Sequence, residues 1–137
     1  MTFNQVNMVA LTYLNILFMN DIGLPIRLAN GTNEKEGRVE IYWNNQWSTV
    51  CDDIWDDNDA TVICKQLGYS RGSARVSAYF GEGSGLILLD NVNCGGSEST
   101  IFACRHRRFG EHDCHHKEDA GVVCAGESSR GIRFTST

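Results

Sequence analysis

The chain has 137 residues, enough for one domain; without its unpatterned ends about 100 residues remain to build a modest core. Twelve basic against 17 acidic side chains give a net charge of −5, which argues against a general nucleic-acid binder. Six cysteines between Cys51 and Cys124, an even number in a compact region, favour a disulfide framework over isolated thiols, and with it an oxidising, secreted or cell-surface location.

Residues 1–24 read as a leader, a weak signal peptide or a disordered extension. The stretch Met8 to Met19 is apolar but interrupted by Asn15, and no Lys or Arg precedes Arg27 to form a basic start. It is also too short to span a bilayer, which needs about 20 residues. Folding is expected to begin at Pro25, with a strand to Leu28 and a turn at Asn30-Gly31-Thr32-Asn33. Asn30-Gly31-Thr32 is also an N-glycosylation sequon, consistent with an extracellular location.

Gly37 to Trp43 alternates as a half-buried strand, with Val39, Ile41 and Trp43 on one face and Arg38, Glu40 and Tyr42 on the other. Asn44-Asn45 signals a hairpin turn into a second strand, Gln46 to Val50. An acidic segment follows, with Asp52, Asp53, Asp56, Asp57 and Asp59 within eight residues. Asp57 or Asn58 is placed to cap a helix whose apolar face is Ala60, Ile63, Cys64 and Leu67, ending at Gly68. Capping and the helix dipole account for one or two of the five acids and leave Asp52 and Asp53 unexplained.

Beyond the helix, Gly68 to Ser73 reads as a turn and Arg75 to Phe80 as a strand. The Gly81-Glu82-Gly83-Ser84-Gly85 loop lacks the spacing of a phosphate cradle. Leu86 to Leu89 reads as a short buried strand that delivers Asp90 and Asn91 just before Cys94. Ser97 to Cys104 reads as one helical turn that brings Cys94 and Cys104 close enough to pair. A polar loop, Arg105 to Lys117, precedes the last strand, Ala120 to Ala125, and residues 126–137 read as a disordered tail.

The histidines His106, His112, His115 and His116 lack the paired half-sites of a zinc centre and read as a half-exposed cluster. Trp43, Trp47, Trp55, Phe80 and Phe102 read as packing residues rather than a sugar platform, with Trp55 lying beside the acidic loop. The chain has no H-E-x-x-H and no free-cysteine arrangement of a hydrolase.

Over residues 25–125 the sequence closely resembles the scavenger receptor cysteine-rich family in its six-cysteine form. The likeness is carried by Gly37-Arg-Val-Glu-Ile41, Trp47-Ser-Thr-Val-Cys-Asp-Asp-Ile-Trp-Asp56, Asp59-Ala60 and Cys64-Lys-Gln-Leu-Gly68. It continues through Phe80-Gly-Glu-Gly-Ser-Gly85, Leu89-Asp90, Cys94, Glu98-Ser99, Cys104, Cys114 and Glu118-Asp-Ala-Gly-Val-Val-Cys124. The resemblance implies an α+β fold, a curved antiparallel sheet cradling one main α-helix. It also implies three disulfides, Cys51–Cys114, Cys64–Cys124 and Cys94–Cys104, out of the 15 pairings that six cysteines allow. The helix reading agrees with one of these, since it turns Cys64 inward toward a core strand such as that of Cys124.

The resemblance further implies a calcium site at Asp52, Asp53 and Glu118, with Mg²⁺ as the alternative ion; on spacing alone these acids read equally well as capping and solvated groups. A second, weaker site is implied at Asp90, Asn91 and Glu98, weaker because relatives carry two aspartates where this chain has Asp90-Asn91. The spacing of an EF-hand is absent. Arg105, His106, Arg107 and Arg108 beside Phe109 form a basic run whose guanidinium forks suit phosphate, sulfate or carboxylate, against the plainer reading of a solvated loop.

The function implied is that of an extracellular, non-enzymatic, calcium-assisted recognition module. Its ligands would be polyanionic or microbial surfaces, modified lipoproteins or partner proteins, with multimers supplying avidity and any membrane attachment supplied by a parent protein. The competing reading is an accessory interaction domain of a larger protein such as a secreted protease or amine oxidase.

Overall fold

The computed structural model describes residues 23–127, so both the 1–24 extension, apart from its last two residues, and the tail beyond Glu127 lie outside the described residues. In chain order the elements are β1 (Ile26–Ala29), β2 (Glu36–Trp43), β3 (Gln46–Val50), α1 (Asp57–Gln66), β4 (Arg71–Arg75), β5 (Ile87–Leu89) and β6 (Gly121–Ala125). Short 3₁₀ turns occupy Ile101–Ala103 and His116–Glu118. Ile101–Ala103 is the tighter form of the helical turn expected before Cys104, started by the Thr100 side chain accepting from the Phe102 N–H.

The β2–β3 hairpin forms because Asn44 and Asn45 both adopt positive φ, 52° and 68°, the twist that a two-residue turn requires and that asparagine tolerates. Trp43 faces Gln46 and Tyr42 faces Trp47 across it, and the latter pair packs edge to face at 5.2 Å. Val39 and Ile41 are fully buried on the core side. Glu40, on the opposite side, is buried too, because Arg27 Nη2 (2.7 Å) and Arg38 Nε (2.9 Å) close over its carboxylate. A buried carboxylate is tolerable only with such partners.

The sheet runs β4-β6-β2-β3-β5, with β1 also paired to β2. Every strand pair is antiparallel except β3–β5, which is parallel, so the curled sheet is mixed rather than wholly antiparallel. The reason is connectivity. A tight hairpin must return antiparallel, whereas β3 reaches β5 through a long crossover containing α1 and β4.

Helix α1 is capped one residue before Asp57 and two before Asn58, the expected caps. Asp56 is the N-cap, accepting from Asn58 N and Asp59 N, while Asp59 accepts from Asp56 N in return. Asp57 instead accepts from Ala74 N (2.7 Å) and pins β4 to the start of the helix. Gly68 ends the helix at φ +96°.

Strand β4 covers Arg71–Arg75, not Arg75 to Phe80. Gly72, which suggested a turn, is a strand residue whose bareness permits close packing: a Cβ there would fall on Cys64 Sγ and within 2.7 Å of the Ala60 carbonyl oxygen. The segment expected as strand is a turn, with Ser77 and Ala78 at φ 57° and 51° and Gly81 N donating to Ala78 O.

All three disulfides have the implied pairing. Trp55 is buried, its indole N–H donating to Gly121 O at 2.9 Å, which settles it as a core residue.

Asp59 is the one fully buried acid of the helix start. Its second oxygen accepts from Cys94 N (2.8 Å), tying α1 to the Cys94–Cys104 loop. Burial raises its pKa from 3.8 to about 7, against the pull of the Cys94 and Asp56 N–H donors. A raised folded pKa means extra proton uptake on folding, so this contribution is full below about pH 4 and is lost as pH rises through about 7. Thermal unfolding between pH 4 and 8 should therefore show a downward slope that Asp59→Asn reduces; an unchanged slope in the variant would assign it to other groups.

Candidate functional site

The acidic segment leaves β3 at Cys51, and three backbone links bind it to the start of β6: Ala120 N to Val50 O (2.8 Å), the Cys51–Asp119 bridge, and Asp52 N to Glu118 O (2.8 Å). The Cys51–Cys114 disulfide closes the same junction from below, across a sequence separation of 63. Two acidic segments far apart in the chain thus meet over one pair of sulfurs. Glu118 Oε1 lies 3.8 Å from Cys51 Sγ, and Asp53 Oδ2 lies 3.7 Å from Cys114 Sγ.

Around that disulfide, one oxygen each of Asp53 and Glu118 falls in a group spanning no more than 4.8 Å, and Asp53, Asp90 and Asp113 fall in a second. The sulfurs are bonded to each other, which leaves carboxylate oxygens as the available donors. Asp53 belongs to both groups. Its pKa is pushed up to about 6, first by burial, then by the charges of Asp90 and Asp113, a side-chain hydrogen bond with Asp113 and the charge of Glu118. The Arg107 guanidinium stands 3.5 Å from Asp90 Oδ2. Hard oxygen donors that repel one another at this spacing fit a hard divalent ion such as calcium.

The expected residues are distributed as follows. Asp53 and Glu118 come together. Asp52 does not join them: its Oδ2 accepts from Ser77 N at 2.6 Å. Of the second set, Asp90 joins Asp53, whereas Glu98 folds onto its own loop and accepts from Gly95 N (2.8 Å) and Gly96 N (2.9 Å), bonds that hold its pKa below the ordinary value. Asn91 sits at φ +53°, its N–H donating to Asp90 Oδ1. Asp113 was not singled out in the sequence, although its place next to Cys114 was the available signal.

The basic run is pinned as an extra edge along β5. Asn93 N donates to Arg105 O, Arg107 N to Asp90 O and Gly110 N to Leu88 O, each at 3.0 Å or less. Phe109 packs on Trp43 (4.8 Å), Phe102 (6.0 Å) and the stacked ring of His106 (5.9 Å). Arg107 is engaged by Asp90, while Arg105 is exposed and the Arg108 side chain is 90% exposed with Glu111 at 3.6 Å.

His116 bridges Asp119 (Nδ1, 3.0 Å) and Gly85 O (Nε2, 2.9 Å). Burial alone would lower its pKa; the Gly85 and Asp119 acceptors outweigh that and raise it. His112 accepts from Cys114 N. Asn30, exposed at φ +66°, donates one amide hydrogen to Phe80 O.

The molecule is a disulfide-stapled α+β module, with one helix in a curled mixed sheet and four of its acids gathered at one bridge. The chain belongs to the scavenger receptor cysteine-rich family: the model of that domain matches residues 29–125. It is 55% identical over 100 residues to macrophage receptor MARCO of Mus musculus, covering 73% of this chain and 18% of the receptor. To MARCO of Mesocricetus auratus it is 54% identical over 99 residues, covering 72% and 20%. The chain thus spans about a fifth of the length of these curated relatives.

Among solved structures it is similar to the third SRCR domain of murine neurotrypsin, with TM-score 0.70, 55% identity and coverage of 74% of this chain and 96% of that one. It is similar also to the dimeric form of the SRCR domain of mouse MARCO, with TM-score 0.63, 56% identity and coverage of 72% and 93%. These likenesses make it a receptor-type recognition module. No helix among the described residues is long and apolar enough to cross a membrane.

Proposed function

We propose that this chain is an extracellular, non-enzymatic module, secreted or on the cell surface, that recognises polyanionic or microbial surfaces or partner proteins with the help of a divalent cation. The observation that carries this reading is the meeting of Asp53 and Glu118 across the Cys51–Cys114 bridge, joined by Asp90 and Asp113. Asp53 and Glu118 would hold Ca²⁺, or Mg²⁺ in its place, with Asp52 recruited as a further ligand and Asp90 supporting from the second group. When bound, the ion supplies a positive centre that an acidic group of a ligand can approach. Asn91 and Glu98 form no joint site with Asp90 in this arrangement, which favours one cation centre over two.

Arg105 and Arg108 extend the surface as exposed forks for sulfate, phosphate or carboxylate, and Asn30 would carry a glycan on its remaining amide hydrogen. One such domain binds weakly, so copies would supply avidity; the dimeric form of the mouse MARCO domain supports that reading. Titrating the full chain onto immobilised sulfated dextran tests it. Binding should fall when Ca²⁺ is chelated and fall again in Arg105→Ala plus Arg108→Ala. Binding indifferent to both changes would sink the proposal.

A second reading, an accessory interaction domain of a larger protein, is favoured by one observation: the matching domain occupies about a fifth of its curated relatives.

A further inference from the structure

The two neighbouring aspartates that the resemblance assigns one task have separate partners in this structure. Asp53 faces Glu118, Asp90 and Asp113, whereas the Asp52 carboxylate lies outside both acid groups and accepts from Ser77 N at 2.6 Å. Ser77 opens a turn with two successive non-glycine residues in the left-handed region, Ser77 and Ala78 at φ 57° and 51°, a conformation that persists only when its surroundings hold it. Asp52 supplies one hold and Asp119 O the next, accepting from Ala78 N at 3.1 Å. The same turn presents Val76 and Tyr79, 46% and 65% exposed, and Arg75 stands 5.5 Å over the Tyr79 ring.

We infer that Asp52 is a two-position switch: without an ion it holds the Val76–Phe80 turn through Ser77 N–H, and with a divalent ion at Asp53 and Glu118 it turns to that ion and lets the turn go. The inference rests on the cation reading above and adds a regulation to it. Asp53 and Glu118 together offer at most four oxygens, while Ca²⁺ takes six to eight, so a bound ion has open positions for water and for further carboxylates, of which Asp52 is the one adjacent to Asp53 in the chain. The bond that Asp52 surrenders is solvent-exposed, so water replaces its partner at Ser77 readily. In the position that holds Ser77, Asp52 is in neither acid group, so moving it to the ion and keeping the turn held oppose each other. By reciprocity, a protein partner that takes Val76 and Tyr79 and draws the turn away tightens the ion. The ion thereby governs the shape of an exposed apolar turn that none of its own ligands belongs to.

Amide hydrogen exchange of the full chain, with calorimetric Ca²⁺ titration in parallel, tests this. With saturating Ca²⁺ the Ser77 amide should exchange about tenfold faster while Ala78, held by Asp119 O, keeps its rate. In Asp52→Asn, whose amide oxygen still accepts from Ser77 but is a poorer ion ligand, Ca²⁺ affinity should drop about tenfold and the Ser77 rate should ignore the ion. Calorimetric binding with an unchanged Ser77 rate in the native chain would overturn the switch and leave the cation site standing. No heat of binding in the native chain would overturn both.

Discussion

Asp53→Ala is expected to reduce Ca²⁺ affinity by more than the roughly 10–100-fold that loss of an outer-shell partner costs, because Asp53 is the one carboxylate common to both acid groups. The sign of its effect on stability should be opposite. Burial and the charges of Asp90, Asp113 and Glu118 raise the Asp53 pKa, which means that the ionised side chain is held there at a cost when no cation is present. Removing it should leave the ion-free protein as stable as before or slightly more so, while abolishing the rise in melting temperature that Ca²⁺ gives the native chain. The ion must also displace a proton from a group titrating at about 6, so Ca²⁺ binding by the native chain should weaken as pH falls through 6. Calorimetry and thermal melting with and without Ca²⁺ check these points together. Undiminished heat of binding in Asp53→Ala would remove the residue from the site.

Removing the Cys64–Cys124 bridge as Cys64→Ala plus Cys124→Ala is expected to cost more stability than removing the short-loop Cys94–Cys104 bridge. The cysteines are 60 residues apart, and restricting a loop of that length in the unfolded chain stabilises the fold by about 4 kcal/mol in the chain-entropy account. That is a large share of the roughly 5–15 kcal/mol that holds a domain of this size. Packing adds to it, since Cys64 lies on the fully buried face of α1 directly over Gly72, and its partner lies in β6 next to β4. The Cys94–Cys104 bridge, with a separation of 10, should cost only about 3 kcal/mol when removed in the same way. Chemical denaturation of the two double variants measures the order. If the short loop proved the costlier loss, loop length would not be what sets the contribution.

Local chemistry made much of this fold readable. The Asn44-Asn45 turn, the alternation in β2 and the apolar face of α1 each lie within a few residues, and each appears in the structure where the sequence places it. What depends on distant partners was not readable. Gly72 looks like a turn residue until α1 is laid across it, and the parallel β3–β5 pair follows from how the crossover packs, which no window of sequence contains. The cap shifted to Asp56 because Asp57 has a partner in β4, another long-range fact.

The site divides in the same way. Asp53 and Glu118 were reachable through the family pattern and their meeting follows from the Cys51–Cys114 bridge. The loss of Asp52 to Ser77, of Glu98 to its own loop and the arrival of Asp113 are all settled by backbone N–H groups and bridge geometry that residue identity alone does not encode.

The place of β6 bears on how this protein is made. The last strand of the described residues, β6, is inserted between β4 and β2, so until residues 121–125 are synthesised β4 lacks the strand that joins it to β2. Through that interval Cys64 has no partner, and four other cysteines, Cys51, Cys94, Cys104 and Cys114, have already been synthesised. Wrong sulfur pairings are therefore the natural hazard of its biosynthesis, and the yield of correctly oxidised protein should depend on access to a disulfide isomerase more than on the speed of translation.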